Sequence, residues 1–167
     1  MASNLPTSPG TFHKSSRHSF PEFLNVATNQ DEAVTVFIAE DNPILLEGLE
    51  RALTANGYRV DTAADGKAAI EMLQSEPLPD LLLLDVMMPR MNGIEVLDHV
   101  RADTRTAELP VLLITAAAEE VVPGSNLDSL GVDVLMKPFR LNELLSRIEA
   151  LAGPARGPTR SPETEIR

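Results

Sequence analysis

The sequence predicts an α/β domain, a five-stranded parallel sheet with helices on both faces, and two observations carry that prediction. Short apolar runs alternate with helix-period patterns, the order that repeated strand-helix units produce. The runs at 34–39 (VTVFIA), 81–86 (LLLLDV) and 110–116 (PVLLITA) are almost continuously apolar, as strands covered on both faces require.

Taken in order, VTVFIA is the first strand, and Asn42 with Pro43 then forms an N-cap and first-turn pair. Leu45, Leu49 and Leu53 repeat at i+4 along the helix that follows, and Gly57 suits its C-terminal end. The second strand, YRVDTA (58–63), is more polar and belongs near an edge of the sheet. Asp65 is placed to cap a second helix over GKAAIEML. LLLLDV is the third strand, and Ile94, Leu97 and Val100 give the next helix one apolar stripe with charges opposite. PVLLITA is the fourth strand and VDVLM (132–136) the fifth. Between them, EEVVPGSNLDSLG carries Pro123 and Gly124, which predicts an irregular segment and then a short helix over about Ser125 to Leu130. Leu141, Leu144, Leu145, Ile148 and Leu151 define the last helix. Five such units in one domain point to a doubly wound, flavodoxin-like (βα)5 sheet with strand order 2-1-3-4-5, whose sites lie beyond the carboxyl ends of the strands.

At 167 residues with 43% hydrophobic content, the chain suits one globular domain with tails. Residues 1–31, rich in Ser, Pro, Asn and Thr, read as a disordered or loosely ordered arm. Residues 32–152 form the domain, and 153–167 a flexible C-terminal tail. The absence of cysteine excludes disulfides and thiolate metal sites. No apolar run reaches the roughly 20 residues of a membrane span, and the N-terminus lacks the apolar segment of a signal peptide, so a cytoplasmic location is expected. A net charge of -11 argues against direct nucleic-acid binding, which rests on neutralising phosphates.

The polar residues at the strand ends carry the chemistry. The first strand ends in Glu40 and Asp41, the third in Asp85, the fourth in Thr115, and the fifth in Lys137 followed by Pro138. Three carboxylates, a hydroxyl and an ammonium therefore converge on one end of the sheet. An unpaired buried charge is costly, so an aspartate directly after four leucines belongs at the mouth of a site. Clustered carboxylates repel one another unless they share a cation, and an all-oxygen ligand set suits Mg²⁺. A carboxylate beside a metal and a fixed ammonium is a candidate phosphoryl acceptor, and Asp85 is that carboxylate.

FIAEDN, LLLLDVMMPRMNG, LLITA and MKPF, in this order and spacing, resemble the receiver domain of bacterial two-component response regulators over about residues 34–152. The resemblance implies that Asp85 takes a phosphoryl group from a phosphohistidine on a sensor histidine kinase or a phosphotransfer protein. It implies that Asp41, Asp85 and the backbone carbonyl of Met87 bind Mg²⁺, with Glu40 acting largely through a water. Thr115 would be the switch hydroxyl, and Lys137 would pair with the aspartate or its phosphate. The Lys137-Pro138 peptide would be cis. Such a domain is a signalling module rather than an enzyme, with slow loss of the phosphoryl group to water hindered by Met87. It acts as a monomer or a phosphorylation-dependent homodimer. Too few residues follow the last helix for an effector domain, so a stand-alone receiver is expected, signalling to a downstream protein.

Two departures from the family pattern bear on switching. Val134 stands where an aromatic usually sits, three residues before Lys137, which puts the Thr-aromatic coupling in question. Pro123-Gly124 interrupts the fourth predicted helix, which with the fifth strand and last helix makes the usual signalling face. Together they motivate an alternative, a receiver-fold binding module that acts independently of phosphorylation. Haloacid dehalogenase-type phosphatases also use an aspartate after an apolar strand, but they need a second Asp two residues on, where this chain has Met87. His13, His18 and His99 show no ligand spacing and read as tail or surface residues.

Overall fold

A computed structural model of the chain describes residues 33–116 and 132–155. The N-terminal arm with His13 and His18, the short helix expected near Ser125 to Leu130 with Pro123, Gly124 and the adjoining signalling face, and the tail from residue 156 lie outside the described residues.

Five parallel strands, β1 (Thr35–Ala39), β2 (Arg59–Ala63), β3 (Leu81–Asp85), β4 (Val111–Thr115) and β5 (Val132–Met136), form one sheet in the order β2-β1-β3-β4-β5. Strand order and bounds bear out the sequence reading to within one residue at each end. β3 and β4 are buried at every position, whereas the edge strand β2 exposes Arg59 and Asp61. Four helices are described: α1 (Pro43–Ala55), α2 (Gly66–Leu73), α3 (Gly93–Ala102) and α4 (Leu141–Ala152).

The helix starts follow from local chemistry. The Asn42 side chain accepts hydrogen bonds from the amides of Ile44 and Leu45, and Pro43 opens α1. Asp65 caps α2 through the Ala68 amide. At α3, Asn92 and Glu95 form a reciprocal capping box, satisfying two donors that the helix cannot. Gly57, at φ 88, follows α1 in the left-handed region that ends helices.

Strand alternation splits the core in two. Ile38, Leu81, Leu83, Leu112, Ile114 and Leu135 face α1 and α4, meeting Leu49, Leu53, Leu144 and Ile148. Phe37, Leu82, Leu84 and Leu113 face the opposite way, onto Ala69 and Leu73 of α2 and Val96, Leu97 and Val100 of α3. At α4 the apolar stripe is broader than the buried face: Leu144 and Ile148 are buried, while Leu141, the first residue of the helix, is 43% exposed.

Candidate functional site

Register places the site. Ala39 pairs with Leu84, so Glu40 and Asp85 stand level, one residue beyond, at the carboxyl ends of adjacent central strands. Both continue the alternation that faces α1 and α4. Asp85 pairs with Ile114, which puts Thr115 one residue further along β4, and Thr115 pairs with Met136, immediately before Lys137. The Lys137 amide donates to the Thr115 carbonyl at 2.7 Å, which extends the ladder and aims the lysine back over the sheet end.

Its ammonium lies 2.9 Å from Asp85 Oδ1 and 2.9 Å from Glu40 Oε2. Asp85 is only 2% exposed and Glu40 1%, so both carboxylates are buried and the lysine is their counter-charge. Glu40 Oε1 also accepts the Asn42 amide at 3.1 Å. Asp85 sits at the strand end and is also paired, so it combines the two arrangements that make a core carboxylate tolerable. Burial raises the Asp85 carboxyl above the usual carboxylate range; the Lys137 hydrogen bond opposes this and the Glu40 charge adds to it. For Lys137, burial pulls the ammonium down, but its hydrogen bonds to Asp85 and Glu40 outweigh that and leave it raised. The site therefore stores one uncompensated negative charge: two buried carboxylates against one ammonium.

Asp41 is exposed and completes a triad in which Glu40, Asp41 and Asp85 each offer a carboxylate oxygen within 4.8 Å of the others. The donors are all oxygen and carry net negative charge, which fits a hard divalent cation of the Mg²⁺ type. Thr115 is fully buried beside this group. Met87 is 58% exposed, in the loop after β3. The Lys137-Pro138 peptide is cis, as is Glu76-Pro77. Val134 is partly buried against the core that faces α2 and α3. His99 is exposed, its Nδ1 2.7 Å from the Glu95 carbonyl.

The structure adds residues that sequence reasoning did not single out. The amide of Gly93 donates to Val86 O at 2.9 Å, and a Cβ at this glycine would overlap the carbonyl oxygen of Asp85 and lie 2.9 Å from Val86 Cα. The first residue of α3 thus rests directly on the backbone of the acidic strand end. The Asn-Gly pair opening an apolar helix was the available signal. Arg90, at φ 71, pairs with Asp65 across to α2, and no short-range pattern marks that contact.

The family model of the response regulator receiver domain matches residues 36–149. The chain is 42% identical over 119 residues to response regulator MprA of Mycobacterium ulcerans, a match covering 71% of this chain and 50% of that protein. The chain thus spans about half the length of the curated relatives it matches. Among solved structures, the receiver domain of a Pseudomonas aeruginosa sensor histidine kinase, with magnesium coordinated in its active-site cleft, is similar at 29% identity. Its TM-score is 0.63, over 72% of this chain and 98% of that one. TrrA of Thermotoga maritima, solved in complex with Mg²⁺-BeF, is similar at 28% identity and a TM-score of 0.61, over 71% and 98%. Among the described residues, no helix is long and apolar enough to cross a membrane.

Proposed function

The chain belongs to the response regulator receiver family, and from that premise we propose that Asp85 accepts a phosphoryl group from a phosphohistidine of a sensor kinase or phosphotransfer protein. The observation that carries this reading is the Asp85 carboxylate, buried at the end of a central strand and held by Lys137 at 2.9 Å.

In the proposed step an Asp85 oxygen attacks phosphorus, the P–N bond breaks, and its electron pair stays on the imidazole nitrogen, which takes a proton from solvent. Lys137 orients the attacking carboxylate and then offsets charge on the phosphoryl oxygens. Glu40 holds Lys137 from its other side, so that the ammonium stays over the reacting group when Asp85 becomes an ester-like phosphate. Asp41, Asp85 and the Met87 carbonyl would hold Mg²⁺, with Glu40 acting largely through a water, and the ion when bound neutralises charge on the transferring oxygens. The Thr115 hydroxyl is the proposed switch, engaging the phosphoryl oxygens and biasing a two-state surface that a downstream protein reads. With Val134 in place of an aromatic, the rearrangement proceeds without a swinging ring. The reading carries a cytoplasmic location with it, and a signalling rather than an enzymatic role.

The phosphate-independent binding module is the weaker reading, since a domain freed from phosphoryl transfer has no need of two buried carboxylates around one lysine. The test is intact mass after incubation with Mg²⁺ and acetyl phosphate, for wild type and Asp85→Asn. One added phosphoryl group that needs both Mg²⁺ and Asp85 is expected. An unmodified wild type that also stays unmodified with phosphohistidine donors would sink the proposal.

A further inference from the structure

The loop between β3 and α3 (86–92) is fastened to the start of α2 by contacts that lie outside the carboxylate cluster. Asp65 serves two partners at once. Its Oδ1 accepts the Ala68 amide at 2.9 Å, capping α2, while its Oδ2 pairs with the Arg90 guanidinium. Directly beside it, Gly66 approaches the loop so closely that a Cβ would stand 2.5 Å from Met91 O and 3.0 Å from Met91 Cβ. Arg90 holds φ 71, where L side chains are disfavoured, and the Met91 amide donates to Pro89 O at 2.8 Å around it. Glycine would take this backbone without strain. Arginine takes it with strain and gains the ion pair. The Arg90 side chain is 72% exposed, so burial does not dictate its direction.

The same loop starts at the acidic strand end: Val86 follows Asp85 directly, its amide donates to Ile114 O at 2.9 Å and its carbonyl accepts the Gly93 amide at 2.9 Å. Where the loop sits therefore decides where the Met87 carbonyl stands relative to Asp85. We propose that the Asp65–Arg90 pair is a latch that holds the 86–92 loop against α2 and thereby sets the divalent-cation affinity of the Glu40, Asp41 and Asp85 cluster. Asp65 and Arg90 are positioning residues that act through the loop. The inference rests on the cation and phosphoryl reading of that cluster.

Charge logic makes the latch separable from a mere field effect. Arg90→Ala removes a positive charge from the domain, so field alone, at whatever strength, would tighten Mg²⁺ binding, whereas an opened latch weakens it. Asp65→Asn leaves α2 capped, because asparagine caps as well as aspartate.

The experiment is Mg²⁺ titration by calorimetry on the full unphosphorylated chain, for wild type, both single variants and the double variant. Amide exchange of 86–92 is followed alongside. Each single variant should weaken Mg²⁺ binding about threefold, the size of a partly exposed ion pair, with similarly faster exchange in 86–92. The double variant should be no weaker than either single one, since the two residues share one interaction. Phosphorylation rates at saturating Mg²⁺ should match. Mg²⁺ binding that is unchanged or tighter in Arg90→Ala overturns the latch while leaving the cluster reading intact. A wild type that neither binds Mg²⁺ nor accepts a phosphoryl group overturns both.

Discussion

Lys137 Nζ and Asp85 Oδ1, 52 residues apart in sequence, meet at 2.9 Å, and the same ammonium holds Glu40 at 2.9 Å. One lysine thus serves as counter-charge to two carboxylates that the sheet has already buried.

Lys137→Ala should destabilise the domain. It leaves two buried carboxylates facing each other, and breaking a fully buried pair costs roughly 3–5 kcal/mol. The Lys137 side chain keeps 24% exposure, so a loss of about 2 kcal/mol is expected from denaturant midpoints. Mg²⁺ should raise the melting temperature of this variant by more than it raises wild type, because a ligand bound only to the folded state offsets the same repulsion. An equal shift in both proteins would count against the cluster as a cation site.

Asp85→Asn should do the opposite while abolishing phosphoryl transfer. Removing one of two carboxylates leaves Lys137 and Glu40 as a balanced pair, and the desolvation penalty that raises the Asp85 carboxyl disappears. A gain of about 1 kcal/mol, or about 3 °C in melting temperature, is expected at neutral pH. A clear loss of stability would show that hydrogen bonds to the charged carboxylate outweigh its burial.

Two glycines test crowding against helix propensity. Alanine is favoured over glycine inside helices by about 1 kcal/mol. At Gly48, in α1, an added Cβ would meet nothing within 4 Å, so Gly48→Ala should stabilise by about 0.5–1 kcal/mol. At Gly93 the same methyl would overlap the Asp85 carbonyl, and backbone cannot swing aside as a side chain can. Gly93→Ala should therefore destabilise by about 2–3 kcal/mol and slow phosphorylation, since the strand end it displaces carries Asp85. Thermal melts and acetyl phosphate labelling of both variants decide the point.

The fold was legible because its cues are local. β3 and β4 read as continuous apolar runs, Arg59 and Asp61 betrayed an edge strand, and Asn42 and Asp65 are caps by residue type. The site was legible for a topological reason: a parallel sheet brings every strand end to one side, so Glu40, Asp41, Asp85, Thr115 and Lys137 had to be neighbours. What stayed hidden depends on register and tertiary approach. Nothing in the spacing says that Lys137 also holds Glu40, that Gly93 rests on the Asp85 carbonyl, or that Arg90 turns back to Asp65. Leu141 shows the reverse error of a periodic pattern, an apolar match that the first turn of α4 leaves exposed.

The far end of the domain supplies a test of pH dependence. Tyr58 is 6% exposed beside the start of β2 and shares its core cluster with Ala155, which brings the segment after α4 to the base of the sheet. Burial raises its phenol above the ordinary value, the Ala155 backbone opposes this, and the Glu149 charge adds to it. A folded-state value above the unfolded one means that the contribution to stability is fully present below about pH 10 and is lost as pH rises through the folded value. Tyr58→Phe cannot ionise. It should be less stable than wild type near neutrality by roughly 0.5–1.5 kcal/mol, the worth of the hydroxyl's polar contact with the Ala155 backbone. Above about pH 10 that gap should narrow, because only wild type must then desolvate a phenolate. Urea unfolding of both proteins at neutral and alkaline pH measures the gap directly, and a gap that stays constant or widens would show that Tyr58 ionises without opposing the fold.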